Sequence, residues 1–143
     1  MPVNQISVSL DNVPGSFLHV SECLGSEGIN IRAISVADTS DISTVRFVTD
    51  DPKKTVDVLR SLGYVVKETN VLAVEVPDHP GGLQAILRPL KAADINVLYF
   101  YQFLGRGESG NPIVMVGVDK TEEALNILKA NWIHTFNSEI YSL

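Results

Sequence analysis

Asn12-Val13-Pro14-Gly15, followed by Gly28-Ile29-Asn30-Ile31, returns later in the chain as Asp78-His79-Pro80-Gly81 followed by Asp94-Ile95-Asn96-Val97. From Pro14/Pro80 to Asn30/Asn96, the matched residues lie 66 positions apart. The alternating stretch before them keeps that offset, Ile6, Val8 and Leu10 against Leu72, Val74 and Val76. So do the residues between them, Phe17, Val20 and Leu24 against Leu83, Ile86 and Leu90. A fixed offset across three kinds of pattern marks a duplicated module.

Length agrees with two small units. A chain of 143 residues fits two domains, residues 1–70 and 71–143, and each would bury only a modest fraction of its surface. Packing of the two units on each other, and of one chain on a second, is therefore expected. A hydrophobic content of 45% with 20% charged residues is that of a globular protein. No apolar run approaches the roughly 20 residues of a membrane span, and no basic stretch leads into an apolar one at the N-terminus. A lone Cys23 builds no internal disulfide framework and fits a reducing cytoplasm. A net charge of −6 argues against nucleic acid as a partner, because phosphates reward a basic face.

Working outward from the repeated stretch, the hydrophobic period switches in one order. Ile6, Val8 and Leu10 alternate as a half-buried strand does. Pro14-Gly15 breaks it and opens a helix, whose apolar stripe is Phe17, Val20 and Leu24 and whose end is Gly28. Asn30–Val36 and Ser43–Val48 read as a hairpin. Asp50-Asp51-Pro52 starts a second helix, with Val56, Leu59 and Leu62 facing inward until Gly63, and Tyr64 begins the next strand.

The second half repeats the order with 72–76, 81–93, 95–103, 112–118, 120–130 and 133–141. Beyond its hairpin the offset grows from 66 to 69, so that hairpin is three residues longer. Asp119 and Glu122 have capping-box spacing. Pro89 falls inside a helix, where it costs ~3 kcal/mol or kinks the axis. The strand from Val97 to Phe103 is apolar on both sides, which predicts two buried faces. The resulting class is α+β: two βαββαβ, ferredoxin-like units side by side, each an antiparallel sheet with its helices on one face.

Candidate chemistry is sparse. Gly105-Arg106-Gly107-Glu108-Ser109-Gly110 matches the dinucleotide fingerprint, but Asn111-Pro112 and a strand follow it instead of a helix, so it reads as a hairpin tip. His19, His79, His134 and Cys23 lack metal-ligand spacing, and no metal or cofactor is expected. No nucleophile sits beside a base, and no Gly-x-Ser-x-Gly elbow occurs. An acylphosphatase of this size needs an Arg after the first strand, and neither Asp11–Ser16 nor Pro77–Gly82 contains a Lys or Arg. The chain does not read as an enzyme.

What remains is the strand-to-helix corner, present twice as Asp11, Asn12, Val13, Pro14, Gly15, Ser16 and as Asp78, His79, Pro80, Gly81, Gly82. One reading is a turn that wants Pro and Gly for its backbone alone. The other is a ligand site, in which N–H groups at a helix N-terminus receive a carboxylate. Asn12 or Asp78 would then accept from an ammonium, and Asn30 with Ile31, or Asn96 with Val97, would add a second contact. Both readings fit the residues.

Asn12-x-Pro14-Gly15 with Gly28-x-Asn30-Ile31, and Asp78-x-Pro80-Gly81 with Asp94-x-Asn96-Val97, resemble the ACT domain, the amino-acid-sensing module of regulated metabolic enzymes. The two copies cover almost the whole chain, which thus resembles a stand-alone tandem ACT protein. The resemblance implies a non-catalytic regulatory protein that binds a free amino acid where ACT units meet, pairs as a homodimer and regulates a metabolic enzyme. Serine-binding members begin the loop with a His, place an Asn two residues later, and open the next strand with another Asn. Asn12, Asn30 and Asn96 match; Leu10 and Val76 stand where the His would be, and Asp78 replaces the second loop Asn. The resemblance therefore carries a general amino-acid site, not serine in particular. An adaptor that uses ACT-like pairing only as an interface is the alternative, and it would not need the three asparagines.

The two corners also differ. Asn12 both donates and accepts, whereas an ionised Asp78 would repel the carboxylate that the Gly81 and Gly82 N–H groups should hold, so the first corner is expected to be the better site.

Overall fold

The structure, a computed structural model, describes residues Pro2–Leu143. The chain forms two compact units, one of Asn4–Thr69 and the other of Asn70–Leu143 with Pro2 and Val3.

The first unit contains β1 (Val3–Asp11), α1 (Ser16–Ser26), β2 (Ile31–Asp38), β3 (Ile42–Thr49), α2 (Pro52–Ser61) and the start of β4 (Val66–Glu75). Its strands run in the order β2-β3-β1-β4, with β3 antiparallel to both neighbours. The alternation of β1 turns Ile6, Val8 and Leu10 to one face, where Ile6 lies opposite Phe47 and Val8 opposite Val45. Onto that face α1 lays Val20 and Leu24, and α2 lays Val56 and Leu59, closing one core. Each such fully buried aliphatic or aromatic side chain contributes roughly 1.5–3 kcal/mol before chain entropy is counted.

The second unit takes the rest of β4, then α3 (Gln84–Ala92), β5 (Val97–Gln102), β6 (Ile113–Val118), α4 (Thr121–Ala130), β7 (Thr135–Phe136) and a 3₁₀ turn, Ser138–Ser142. β6 lies between β4 and β5, and β7 pairs with β4. Leu72, Val74 and Val76 share a core with Ile86 and Leu90 of α3 and Leu125 and Leu128 of α4, so both helices again cover one face.

Several expectations change. One strand, Val66–Glu75, replaces the separate strands expected from Tyr64 and over 72–76. The segment 133–141 is strand only at Thr135–Phe136, and the 3₁₀ turn Ser138–Ser142 follows with Ile140 buried. β5 does not bury both faces: Tyr101 and Phe103 are buried, but Leu98 and Phe100 are 57% and 49% exposed. Leu62, expected to face inward, is the exposed C-cap of α2. Asp119 does not cap α4, whose N-cap Lys120 makes no side-chain cap. α3 runs through Pro89 to Ala92 without a break.

The repeat extends to irregularities. A bulge falls between Ile31 and Ala33 in one unit and between Val97 and Tyr99 in the other, each pair offset by 66. Across the ladder a small–large pair has exchanged places. Ala33 faces Val48 in the first unit, and Tyr99 faces Gly117 in the second. A Cβ on Gly117 would overlap the Tyr99 ring. Gly117→Ala should therefore cost ~1–3 kcal/mol through overpacking. Tyr99→Ala in the same chain should restore much of that loss; urea denaturation of the four variants of the cycle measures it.

Candidate functional site

The first corner is built by β1 ending at Asp11 and by Gly15, whose φ of +89° turns the chain into α1. Asn12 is bound to the β2–β3 turn at two points: its N–H donates to the Asp41 carbonyl at 2.9 Å and its Nδ2 to the Thr39 carbonyl at 3.2 Å. Ser16 N–H donates to Val13 O at 3.3 Å and His19 N–H to Gly15 O at 3.0 Å, while no side chain caps the helix. Asp11 through Gly15 are exposed.

The second corner is more tightly wound. Gly82 N–H donates to His79 O at 3.0 Å, Gln84 N–H to Gly81 O at 3.1 Å and Ala85 N–H to Gly82 O at 3.2 Å. The His79 ring lies with Nδ1 2.9 Å from Pro80 O. Of the two N–H groups expected to hold a carboxylate, Gly82's is thus already bonded. Asp78 stands at the mouth of this turn, exposed like its neighbours His79 and Pro80.

Asn30 and Asn96 lie at the other end of their helices. Between Asn12 and Asn30 runs α1, whose 11 residues span about 16 Å along its axis. Within a unit, then, the corner and the strand asparagine are not brought together. At each asparagine the same frame appears. Asn30 N–H donates to Asp50 Oδ1 at 2.9 Å and Asp50 N–H returns to Asn30 O at 3.0 Å. Asn96 N–H donates to Asp119 Oδ1 at 3.0 Å and Asp119 N–H returns to Asn96 O at 3.2 Å. These bonds hold the backbone only. Neither side-chain amide makes a hydrogen bond among the described residues.

Beside Asn96 is an open cavity of about 490 Å³, lined by Leu87, Lys91, Asp94, Val97 and Lys120 among others. Lys120 Nζ donates to the Asp94 carbonyl at 3.0 Å, as Lys54 Nζ does to the Glu27 carbonyl at 2.6 Å in the first unit.

A family model for the ACT domain pair matches residues 1–140. The chain belongs to the ACT domain pair family. It is similar over its whole length to protein BT0572 from Bacteroides thetaiotaomicron, at 27% identity, 98% coverage of that chain and a TM-score of 0.91. The regulatory subunit of aspartate kinase from Thermus thermophilus, in its ligand-free form, shares the fold at 14% identity and a TM-score of 0.63, with 92% of this chain and 93% of that one covered. The corresponding subunit from Thermus flavus matches at 15% identity and 0.62, over 92% and 94%. No protein of curated function matches the sequence.

In this ACT pair the Gly105–Gly110 segment joins β5 to β6, strand to strand, with Arg106 Nη1 donating to Gly110 O at 2.6 Å. His134 lies on the surface, its Nδ1 3.4 Å from Glu75 Oε2 and its ring stacked on Phe136. Among the described residues no group of three or more His, Cys, Asp or Glu could hold a metal ion. Among the described residues, no helix is long and apolar enough to cross a membrane. Sequence reasoning passed over Asp50 as the partner of Asn30, and Leu87, Lys91 and Asp94 as cavity walls. A signal for the walls was present: 66 positions earlier stand Ser21, Gly25 and Gly28.

Proposed function

We propose that this ACT pair is a non-catalytic regulatory protein that senses a free amino acid, bound where ACT units meet, and passes that signal to a metabolic enzyme. The observation that carries this reading is the repeated frame at Asn30 and Asn96. Asp50 and Asp119 grip only the backbone, a task any residue type would serve, yet both positions carry a carboxamide with its side chain uncommitted. A carboxamide donates and accepts, so it suits either end of a zwitterion. Family membership over residues 1–140 supports the same reading. It is a cytoplasmic homodimer in this reading, with Asp11–Ser16, Asn30 and Ile31, and Asp78–Gly82, Asn96 and Val97 as contributing residues. The corner of one ACT unit would be completed by the strand asparagine of another, because within a unit α1 keeps them apart.

One observation favours the adaptor reading. Asn12 Nδ2 is spent on the Thr39 carbonyl, a structural use that needs no ligand. A thermal-shift screen of the twenty amino acids separates the two readings. A selective ligand at a hundred times its Kd adds ≈ 2.7 kcal/mol of stability. Asn12→Ala and Asn30→Ala should weaken that binding by ~1–3 kcal/mol, the cost of an unmatched buried polar partner, and Asp78→Ala should weaken it less. If no amino acid moves the melting temperature at millimolar concentration, the adaptor reading replaces this one.

A further inference from the structure

We propose that the cavity at the C-terminal end of α3 is an aliphatic amino-acid site complete within the second unit, with Lys91, Asp94 and Asn96 holding the ligand's charged ends. The inference rests on the amino-acid-sensing reading above, but it gives Asn96 a ligand held within one unit, apart from any site where units meet, and it adds a side-chain class.

Four charged residues line this cavity: Lys91, Asp94, Asp119 and Lys120. Two are consumed by the frame, since Asp119 accepts the Asn96 N–H and Lys120 donates to the Asp94 carbonyl. The Lys91 ammonium, the Asp94 carboxylate and the Asn96 carboxamide are left, and none makes a hydrogen bond or ion pair among the described residues. One cation, one anion and one group that donates and accepts is the complement of a zwitterion, and charge-assisted hydrogen bonds are the stronger kind. Leu87 and Val97 line the cavity beside them, with Leu90 and Ile95 buried beneath. An apolar surface of this kind rewards an aliphatic side chain on the ligand and penalises a charged one.

The first unit supplies the control. On the same backbone it presents Ser21, Gly25 and Gly28 where the second presents Leu87, Lys91 and Asp94. Gly28 and Asp94 both take a left-handed backbone, at φ +73° and +57°. Glycine is the least strained residue there. A lysine in the last turn of α3 complements the helix dipole, but a carboxylate just past that end opposes it. Fold stability explains Lys91, and aspartate tolerates the left-handed backbone better than most residues, but its charge works against the helix end; a ligand ammonium accounts for that charge.

Leucine is the probe, titrated into the ¹⁵N-labelled full chain by NMR. The amides of Ile95, Asn96, Val97 and Asp119 should shift on addition of leucine. The dissociation constant read from those shifts should rise at least tenfold in Lys91→Met and in Asp94→Gly. Asp94→Gly keeps the left-handed backbone, so a loss there is not a loss of fold. In the wild type, 4-methylpentanoate, which is leucine without its ammonium, should bind at least tenfold more weakly, with no further loss in Asp94→Gly. Leucine shifts confined to Asp11–Ser16 and Asn30, unchanged by both variants, would overturn this site and leave the sensing reading standing. If none of the twenty amino acids shifts any amide, both fall.

Discussion

Phe47→Ala is expected to lower the stability of the first unit by ~3–5 kcal/mol, as large as single truncations in a core become. Phe47 has no exposed surface and lies on β3 opposite Ile6 of β1 and Ile34 of β2. It is thus at the centre of the strands that α1 and α2 cover. Val20, Leu24, Val56 and Leu59 complete its surroundings, and β-sheet backbone on three strands cannot collapse into the void. A small domain holds only ~5–15 kcal/mol in total, so this loss should be enough to uncouple the transitions. Urea denaturation followed by amide exchange should show β1–β3 opening before β5 and β6. The counterpart 69 positions on is Val116, a smaller side chain, and Val116→Ala should cost less. A Phe47→Ala loss below about 1 kcal/mol, well under the range for such truncations, would mean that the core repacks around the gap.

Much of this architecture is legible in the sequence, because duplication doubles each local signal. The two Pro-Gly corners recur at an offset of 66 and the hairpin recurs three residues longer, and the structure has both. The stripe of the first helix recurs as well, except that Leu83, expected on the helix face, is the exposed N-cap of α3. What the sequence hid was tertiary. Asp119 followed by Glu122 looks like a local cap, yet the Asp119 carboxylate reaches Asn96, 23 residues away. Capping rules compare neighbours in sequence, so a side chain that serves a distant backbone N–H escapes them. Apolar content misled at β5, where Phe100 pairs with the core residue Val116 yet stays half exposed, and Leu98 is exposed at the bulge. It misled again at 133–141, where Asn137-Ser138-Glu139 interrupts the alternation that a strand requires. The asparagines of the candidate site were legible as residue types. Lys91 and Asp94 were legible only as departures from the repeat, and their meaning needed the cavity.

The second large effect is expected at Gly82, and it separates two reasons for keeping a glycine. Gly81 has a φ of +83°, and a Cβ added there would meet nothing closer than Gln84 Oε1 at 3.8 Å. Gly81→Ala should therefore cost only the left-handed backbone penalty of about 1–2 kcal/mol. Gly82 has no such φ. Its Cβ would instead overlap the Pro77 carbonyl oxygen, with the His79 carbonyl oxygen at 3.1 Å on another side. Both obstacles are backbone, so no rotamer change relieves them. Opening the turn would break the Gly82 N–H bond to His79 O and the Ala85 N–H bond to Gly82 O, which wind the entry to α3. Gly82→Ala should cost about 3 kcal/mol, the upper part of the range for an inserted methyl, and more than Gly81→Ala. Near the midpoint, each kcal/mol moves the melting temperature of a 60–100-residue domain by ≈ 4–8 °C, so calorimetric scans of the two variants resolve the order. The reverse order would mean that the corner is shaped by its dihedral angles and not by the close approach of Pro77.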